Sequence, residues 1–248
     1  MKNNLNFNSN FWKKRAKKYN ELDWVKNKEY LRTFIKAGEF KKTDAVLDVG
    51  TGTGIVTHAI APLVKKVICF DKSQEMLNKG NWYGNMHPIL GNILNPIFDN
   101  ETFDKVTARH VFHHILYGTQ KAMDECYRLL KKKGKMILSE GVPPHKKVKE
   151  DYIKIFKLKE KRLTFLEEDL ESLMEKSGFK NIKTTSVILE RMSIRNWLEK
   201  SGLPIAIQDR IFNFHINSNG HFKRAYNLER IGNDCLVNFK MAIVVGEK

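Results

Sequence analysis

Three glycines spaced two residues apart interrupt an apolar run, and they are the first feature of the sequence that could do chemistry. Segment 46–56 has the sequence VLDVGTGTGIV, which predicts a buried strand, a tight turn and the start of a helix. Glycine adopts positive φ freely and carries no Cβ, so we expect a ligand to approach the turn and the turn amides to face it. Gly50, Thr51 and Gly52 are therefore candidate binding residues.

A carboxylate follows at the end of the next apolar segment. Residues 66–71 predict a second strand, and its last residue, Asp71, lies about 20 residues beyond the glycine turn. An acidic side chain at this place can accept hydrogen bonds from both hydroxyls of a ribose. The turn and the carboxylate together predict a nucleoside-binding site at the ends of two neighbouring strands.

The order hydrophobic-Asp-x-Gly-x-Gly-x-Gly at 47–54 resembles the first motif of class I S-adenosylmethionine-dependent methyltransferases. Residues 103–114 are similar to the Phe-Asp-x-Val…Arg-x-x-x-His-His segment of the ubiquinone and menaquinone C-methyltransferase group. Residues 124–140 are similar to the junction between a helix and the fifth strand in that family, and Ala16-Lys17-Lys18-Tyr19-Asn20 resembles a segment of small-molecule methyltransferases. We expect a member of this family.

The resemblance implies S-adenosylmethionine as the cofactor. The glycine turn would line its methionine end, and Asp48 would hold the turn or reach the amino group through water. Asp71 would hold the ribose, and Asn92 with Ile93 the adenine. Asn92 stands where the family commonly has Asp, but its side-chain carbonyl oxygen can still accept a hydrogen bond from the adenine amino group. The predicted cofactor-binding residues are Asp48, Gly50, Thr51, Gly52, Asp71, Lys72, Met76, Asn92, Ile93 and Arg109.

The fold expected from these motifs is α/β and Rossmann-like. Its sheet has seven mostly parallel strands in the order 3-2-1-4-5-7-6, with strand 7 antiparallel and helices on both faces. We expect one methyltransferase domain over 1–248, with N-terminal cap helices over 11–37. Residues 193–232 are predicted to form a helical lid insertion between strands 6 and 7, because a structureless loop of that length is uncommon.

Three histidines fall within five residues after the fourth predicted strand: His110, His113 and His114. His113 or His110 could act as a general base, because imidazole can be neutral near pH 7. A metal site is the weaker hypothesis, since no acidic residue flanks the cluster, and no metal is predicted. Packing or contact with the cofactor is the third interpretation. Glu140, at the end of strand five, and Tyr19 are secondary catalytic candidates.

The insertion at 193–232 is where we expect the acceptor to bind. Its rings could pack on an apolar group, and its cations could meet a carboxylate or phosphate. Alternatively, the rings form a small satellite core and the cations are solvated. The residues concerned are Trp197, Phe212, Phe214, Phe222 and Tyr226, and Arg191, Arg195, Arg210, Lys223 and Arg224.

Composition bounds the partners. The 248 residues carry a net charge of +16, which favours anionic partners or reflects a lysine-rich proteome. No apolar run approaches the roughly 18 residues of a spanning helix, so we expect a soluble, cytoplasmic protein. Three scattered cysteines predict reduced core residues.

Methyl transfer to a small, anionic or aromatic acceptor is the favoured function. Nucleic-acid base methylation is disfavoured, because residues 109–112 lack the Asn/Asp/Ser-Pro-Pro-aromatic motif and no nucleophilic cysteine is present there. An RNA methyltransferase using the basic surface remains the alternative, and a non-catalytic S-adenosylmethionine-binding protein is the third. The oligomeric state is not predicted.

Overall fold

The computed structural model describes residues 18–248. Its centre is one sheet with the strand order β3-β2-β1-β4-β5-β8-β6, in which β7 pairs with β8. Strands β1 to β5 pair in parallel, while β8 runs antiparallel to β5, β6 and β7. The strands are β1 Ala45–Val49, β2 Lys66–Asp71, β3 Met86–Leu90, β4 Phe103–Arg109, β5 Leu130–Val142, β6 Lys180–Ser193, β7 Glu229–Ile231 and β8 Asp234–Glu247.

The predicted fold class is confirmed, with β8 in the place of the predicted strand 7. The prediction missed β7, a three-residue strand that forms a hairpin with β8 through the pair Ile231 and Asp234. All three residues of β7 are exposed, so its sequence lacks the alternation of buried and exposed side chains that indicates a strand.

The first strand explains why the polar motifs meet. All five residues of β1 are buried, as expected for a central parallel strand that is covered on both faces. The register pairs Val49 with Phe70 of β2 and with Ala108 of β4. The carboxyl ends of β1, β2 and β4 therefore lie at one edge of the sheet, where parallel sheets place their ligands.

Helices cover the sheet on two sides, over two separate apolar cores. Tyr30 and Phe34 belong to the first core, which also contains residues of α3, α6 and α8 to α10. Met123 and Leu170 belong to the second, under α5 and α7. The helices are α1 Asp23–Lys26, α2 Lys28–Gly38, α3 Ile55–Ile60, α4 Gln74–Leu77, α5 Thr119–Leu129, α6 Lys149–Lys159, α7 Glu167–Ser177, α8 Ile194–Glu199, α9 Ile205–Ile216 and α10 Gly220–Ala225.

Two helical regions were expected outside the common sheet. The first part of the predicted N-terminal cap, residues 11–17, lies outside the described residues. Tyr19–Glu21 forms a 3₁₀ turn before α1 and α2, and Asn27 caps α2 by accepting a hydrogen bond from the Tyr30 amide at 2.9 Å. Helices α8 to α10 occupy the stretch between β6 and β7. Among the described residues, no helix is both long and apolar enough to cross a membrane.

Candidate active site

The glycine turn after β1 has the backbone that its sequence requires. Gly50, Gly52 and Gly54 have φ values of 64°, 59° and 89°, in the left-handed region that other residues rarely adopt. A Cβ placed on Gly50 would lie 2.3 Å from the Cγ2 atom of Val111, so no side chain fits there. The turn is therefore specified by conformation and by lack of space.

The amides of this turn differ from the expectation that they would face a ligand. Gly50 and Thr51 both donate to the Phe70 carbonyl, at 2.7 and 3.3 Å, and Gly52 donates to Oδ2 of Asp71 at 2.8 Å. These three donors are used by the protein itself, because the turn must be fastened to β2 to keep its shape. The glycines contribute space rather than hydrogen bonds to a ligand.

Asp48 is the buried centre of a hydroxyl network. Its Oδ1 accepts from Thr107 and its Oδ2 from Thr57, each at 2.7 Å, and the Thr57 hydroxyl lies 2.8 Å from that of Thr51. Burial raises the pKa of Asp48, and the threonine hydrogen bonds oppose that shift. The network joins β1, β4, α3 and the glycine turn, which agrees with the first of the two roles predicted for this carboxylate.

Asp71 links the glycine turn to the start of α4. Besides the Gly52 amide, it accepts a hydrogen bond from the Ser73 amide at 2.8 Å. Ser73 caps α4 by accepting a hydrogen bond from the Met76 amide at 3.3 Å. Burial raises the pKa of Asp71 and the two amide hydrogen bonds oppose the rise. Each carboxylate oxygen retains a second lone pair for a ligand.

A cavity of about 390 Å³ opens beside these groups, and we call it the large cavity. All ten predicted cofactor-binding residues line it, and so do the catalytic candidates Tyr19 and His110. Asn92 contributes an Oδ1 that already accepts a hydrogen bond from the Leu94 amide at 3.0 Å. The wall of the large cavity also includes Thr53, Ile55, Phe70, Val111, His114 and Tyr117.

Arg109, the last residue of β4, brings an unsatisfied donor to this cavity. The side chain is buried, its Cζ lies 5.4 Å from the centroid of the Tyr30 ring, and its Nη1 has no hydrogen-bond partner among the described residues. A buried donor without a partner is costly, and a charged one more so. A carboxylate such as that of a bound amino acid would satisfy it with a charge-assisted hydrogen bond.

His110 is held in one tautomer by a chain of hydrogen bonds. The Ser139 hydroxyl donates to the Ala242 carbonyl at 2.7 Å, so the Tyr30 hydroxyl, 2.7 Å from Ser139 Oγ, is the donor to Ser139. Tyr30 must then accept from His110 Nε2, 2.9 Å away. His110 therefore carries its proton on Nε2 and its lone pair on Nδ1. Burial lowers the pKa of His110 well below 6.5, which keeps the ring neutral.

His113 forms a buried pair with Glu140. The distance from His113 Nδ1 to Glu140 Oε2 is 2.5 Å, and the His113 amide donates to Oε1 at 3.3 Å. Glu140 is fully buried, and burial raises its pKa. An imidazole whose Nδ1–H is held by a carboxylate carries its lone pair on Nε2 and is stabilised when it takes up a proton. Glu140 lies behind His113 and lines neither the large cavity nor the smaller cavity that adjoins it.

Residues 47–138 match a family model described as a methyltransferase domain. The match extends from β1 into β5 and includes the glycine turn, Asp71, Asn92, Arg109 and the histidine cluster. Over these residues the chain is similar to methyltransferase domains. The family resemblance predicted from the sequence is therefore confirmed.

Known proteins agree on the fold of this methyltransferase domain. The uncharacterized methyltransferase YcgJ of Bacillus subtilis is 27% identical over 146 residues, which cover 56% of this chain and 57% of YcgJ. Its crystal structure is similar with a TM-score of 0.79 and 21% identity, and the alignment covers 89% of this chain and 98% of that structure.

Two further similar proteins are named after small-molecule substrates. Demethylmenaquinone methyltransferase of Symbiobacterium thermophilum is 30% identical over 143 residues, covering 52% of this chain and 57% of that enzyme. Phosphoethanolamine N-methyltransferase 2 of Haemonchus contortus, solved with S-adenosyl-L-methionine, has a TM-score of 0.59 and 18% identity, covering 89% of this chain and 52% of that structure. The chain thus spans less than two thirds of the length of both enzymes, and its sequence alignment with YcgJ also covers less than two thirds of that protein.

The sequence argument against a metal does not hold in three dimensions. The tertiary structure brings carboxylates to the histidines, so that potential ligand atoms of His110, His113 and Glu140 lie within 4.8 Å of one another. The same holds for His113, His114 and Glu160. The 2.5 Å separation of His113 and Glu140 is that of a hydrogen bond, and it is shorter than the roughly 3.4 Å between neighbouring ligands of a tetrahedral zinc ion.

A second cavity of about 70 Å³ adjoins the methyltransferase domain's large cavity, and we call it the small cavity. His110 lines both cavities, and His113 lines the small one. Three charged side chains on its wall are almost fully buried: Lys159, Glu160 and Arg162 have exposed fractions of 2%, 5% and 6%. The remaining wall is largely aromatic and includes Trp24, Tyr152, Phe156, Trp197, Tyr226 and Phe239.

The sequence prediction of the acceptor region was partly wrong about which residues meet. Trp197 and Tyr226 line the small cavity, but Phe212 and Phe222 are buried in the first core and Phe214 packs against it. None of the five basic residues singled out in the insertion lines either cavity. Arg191 pairs with Glu229, and Arg195 lies over the Phe212 ring at 4.2 Å.

Two of the three cations of the small cavity come instead from the end of α6 and the segment after it, and the third, Lys240, comes from β8. In sequence, Lys157 to Arg162 is a run of charged residues around one leucine, which is typical of a solvated surface. Lys157 and Lys161 are indeed exposed, whereas Lys159 and Arg162 point inward. The helical spacing of Tyr152, Ile155 and Lys159 was the one available signal, since all three lie on the buried side of α6.

Proposed function

We propose that this chain is an S-adenosylmethionine-dependent methyltransferase, and that it acts on a small acceptor held in the small cavity. The observation that carries the proposal is that the two cavities meet at His110. A transferase must hold donor and acceptor side by side and exclude water from the contact between them. Two adjoining buried cavities, one of them formed by the methyltransferase motifs, have this arrangement.

The large cavity suits S-adenosylmethionine, residue by residue. Asp71 would hold the ribose, Asn92 and Ile93 the adenine, and the glycine turn the methionine part. Arg109 is the natural partner of the methionine carboxylate, because its Nη1 has no other partner among the described residues. The bound cofactor supplies a methyl group on a positively charged sulfur. Lys72 and Met76 complete the wall beside the nucleoside.

The histidines divide the work in this proposal. His113 takes the proton that the acceptor loses, because Glu140 stabilises the charged imidazole that results. His110 is less suited to that task, since burial keeps its pKa low. We assign His110 and Trp24 a positioning role: their rings separate the two cavities and align the donor with the acceptor. The centroids of the two rings lie 4.5 Å apart. Tyr19 borders the large cavity only and is assigned to the cofactor.

The relatives support a small acceptor. Demethylmenaquinone methyltransferase and phosphoethanolamine N-methyltransferase are both named after small molecules. The small cavity, lined by residues of α6 and α8, has a volume of only about 70 Å³, which favours a small acceptor group. Two observations favour RNA instead. One is the net charge of +16, and the other is similarity to ribosomal RNA small subunit methyltransferase A of several cyanobacteria, 29% to 34% identical over 53 to 68 residues, which cover 21% to 27% of this chain.

Calorimetric titration with S-adenosylmethionine and S-adenosylhomocysteine tests the proposal. The wild-type protein should bind both, and Arg109→Gln should weaken binding by about 10-fold to 100-fold, the value of one charge-assisted hydrogen bond. The matched control is Arg32→Gln, because Arg32 is exposed on α2 and its loss changes the net charge equally. The absence of binding by the folded wild-type protein would overturn the proposal.

A further inference from the structure

The small cavity contains two donors without partners. Nη2 of Arg162 and Oη of Tyr226 are buried, and neither has a hydrogen-bond partner among the described residues. Burial raises the pKa of Tyr226 well above 10, so its oxygen carries a proton that it can donate. The two residues lie 64 positions apart in sequence and on different elements, yet both line one cavity.

The contacts of the Arg162 guanidinium leave one of its nitrogens without a hydrogen-bond partner among the described residues. Its Nε donates to the Leu163 carbonyl at 3.1 Å, and its Nη1 lies 3.8 Å from Oε1 of Glu160. The guanidinium also stacks over the Phe156 ring, with Cζ 4.1 Å from the centroid. These contacts orient the group and leave Nη2 unused. Unsatisfied buried donors are rare in folded proteins, so each calls for a partner that the chain itself does not supply, such as an ordered water, an ion or a ligand.

A second cation reinforces the same wall. Lys159 Nζ lies 3.2 Å from Glu160 Oε1 and 5.5 Å from the centroid of the Trp197 ring. The wall thus presents two cations around one carboxylate, and its third cation, Lys240, is paired with Glu167 at 2.6 Å. A volume of about 70 Å³ exceeds the 10 to 15 Å³ that one water molecule requires, so a group of several atoms fits.

From these observations we propose that the small cavity binds an anionic oxygen group of the methyl acceptor, a carboxylate or a phosphate, on Arg162 Nη2 and the Tyr226 hydroxyl. The apolar part of the acceptor lies against Phe156 and Trp197. This inference rests on the proposed function, and it adds the chemical class of the acceptor and the residues that select it. Arg162 and Tyr226 are specificity residues, and neither is needed to bind the cofactor.

Binding of small anions tests the proposal directly. Benzoate and phenyl phosphate, with acetate and inorganic phosphate as the smaller member of each pair, are titrated into protein saturated with S-adenosylhomocysteine at constant ionic strength. Benzyl alcohol is the neutral control. At least one anion should bind about tenfold more tightly than benzyl alcohol, the value of one charge-assisted hydrogen bond. The stronger pair identifies carboxylate or phosphate as the group.

Substitutions of Arg162 and Tyr226, with one control, locate the binding. Arg162→Gln should weaken the anion by at least about tenfold. Lys161→Gln, the same charge change at an exposed neighbour, should leave it unchanged. Tyr226→Phe should weaken anion binding without lowering the midpoint of thermal unfolding, because it deletes a buried hydroxyl that has no hydrogen-bond partner within residues 18–248. Arg162→Lys keeps the charge without Nη2, so it covers the case in which Arg162→Gln does not fold.

Each outcome decides the matter. If S-adenosylhomocysteine binds and no anion exceeds benzyl alcohol, this inference is overturned and the proposed function stands. Equal losses in Arg162→Gln and Lys161→Gln would overturn it as well, because the effect would then be general electrostatics. If S-adenosylhomocysteine itself does not bind, the proposed function fails first. Binding that requires both Arg162 and Tyr226 supports the inference.

Discussion

The two cavities of this protein are built in different ways. Around the large cavity the buried carboxylates are satisfied by the protein itself, as Asp48 is by Thr57 and Thr107. Around the small cavity, donors on Arg162 and Tyr226 are left without partners among the described residues. The large cavity thus combines internally satisfied carboxylates with one unsatisfied donor, Nη1 of Arg109, whereas the small cavity presents two such donors among the described residues.

The difference also concerns chain topology. Apart from Tyr19, the wall of the large cavity comes from residues 48–117, within the segment that matches the methyltransferase family. The wall of the small cavity runs from Trp24 to Met241 and joins the N-terminal helices, β5, α6, the insertion and β8. Changes in the second group of elements can therefore alter the acceptor while the cofactor site is retained.

The strongest test of a preformed large cavity is Gly50→Ala. Positive φ costs a non-glycine residue about 1 to 2 kcal/mol, and the contact with Val111 at 2.3 Å adds overpacking of about 1 to 3 kcal/mol. We expect a loss of up to about 5 kcal/mol in unfolding free energy, measured by urea denaturation, and loss of cofactor binding.

Gly84→Ala is the matched control for that test. Gly84 has φ 61°, close to that of Gly50, but a Cβ there would meet no atom within 4 Å. It should cost only the backbone part, about 1 to 2 kcal/mol, and leave cofactor binding intact. Equal losses in both variants would show that the turn does not depend on close packing.

The small cavity should respond to acid through His215. Burial lowers the pKa of His215 to about 4, while in the unfolded chain its pKa is near 6.5. Between these pH values the unfolded state therefore binds more protons than the folded state. The contribution of His215 to the unfolding free energy is fully present above pH 6.5 and is lost as the pH drops towards 4. The shift corresponds to about 3 kcal/mol.

Urea unfolding between pH 7 and pH 4 measures this effect. His215→Gln should remove about 3 kcal/mol of the pH dependence. His221→Gln should retain the wild-type dependence, because His221 is exposed. If the unfolding free energy of the wild type and of His215→Gln depended on pH in the same way, His215 would not be buried in a neutral form.

A smaller effect is expected from Asp71→Asn. The substitution turns an amide NH₂ towards the Gly52 or the Ser73 amide and so removes one charge-assisted hydrogen bond, at about 2 kcal/mol. Cofactor affinity should fall about tenfold or more in calorimetry. Asp99→Asn is the control, since Asp99 is exposed and outside both cavities. Unchanged affinity in Asp71→Asn would remove Asp71 from the binding site.

Much of the large cavity could be predicted from the sequence, for a local reason. Each motif there is a strand followed directly by its polar residue, and parallel strands bring such ends together whatever the rest of the chain does. That is why Gly50, Asp71, Asn92 and Arg109 line one cavity as expected. The error concerned the turn amides, whose acceptor, the Phe70 carbonyl, lies on a neighbouring strand.

The small cavity could not be predicted in the same way. Whether a lysine of α6 is solvated or buried depends on what packs against that face, and the partners of Lys159 are Phe156 and the distant Trp197. The carboxylate behind His113 is likewise Glu140, 27 positions away on β5. The sequence identified His113 and Glu140 as two separate candidates, but it did not show that they form a pair.

The amino-acid sequence by itself determined the fold class, the glycine turn and the set of strand ends that form the large cavity, because those depend on local conformation and on strand order. The tertiary structure alone decided which charges are buried, which histidine has a carboxylate partner and which donors remain unsatisfied. Those properties depend on desolvation by residues far apart in the chain, and burial is what gives a charge or an unpaired donor its chemical effect.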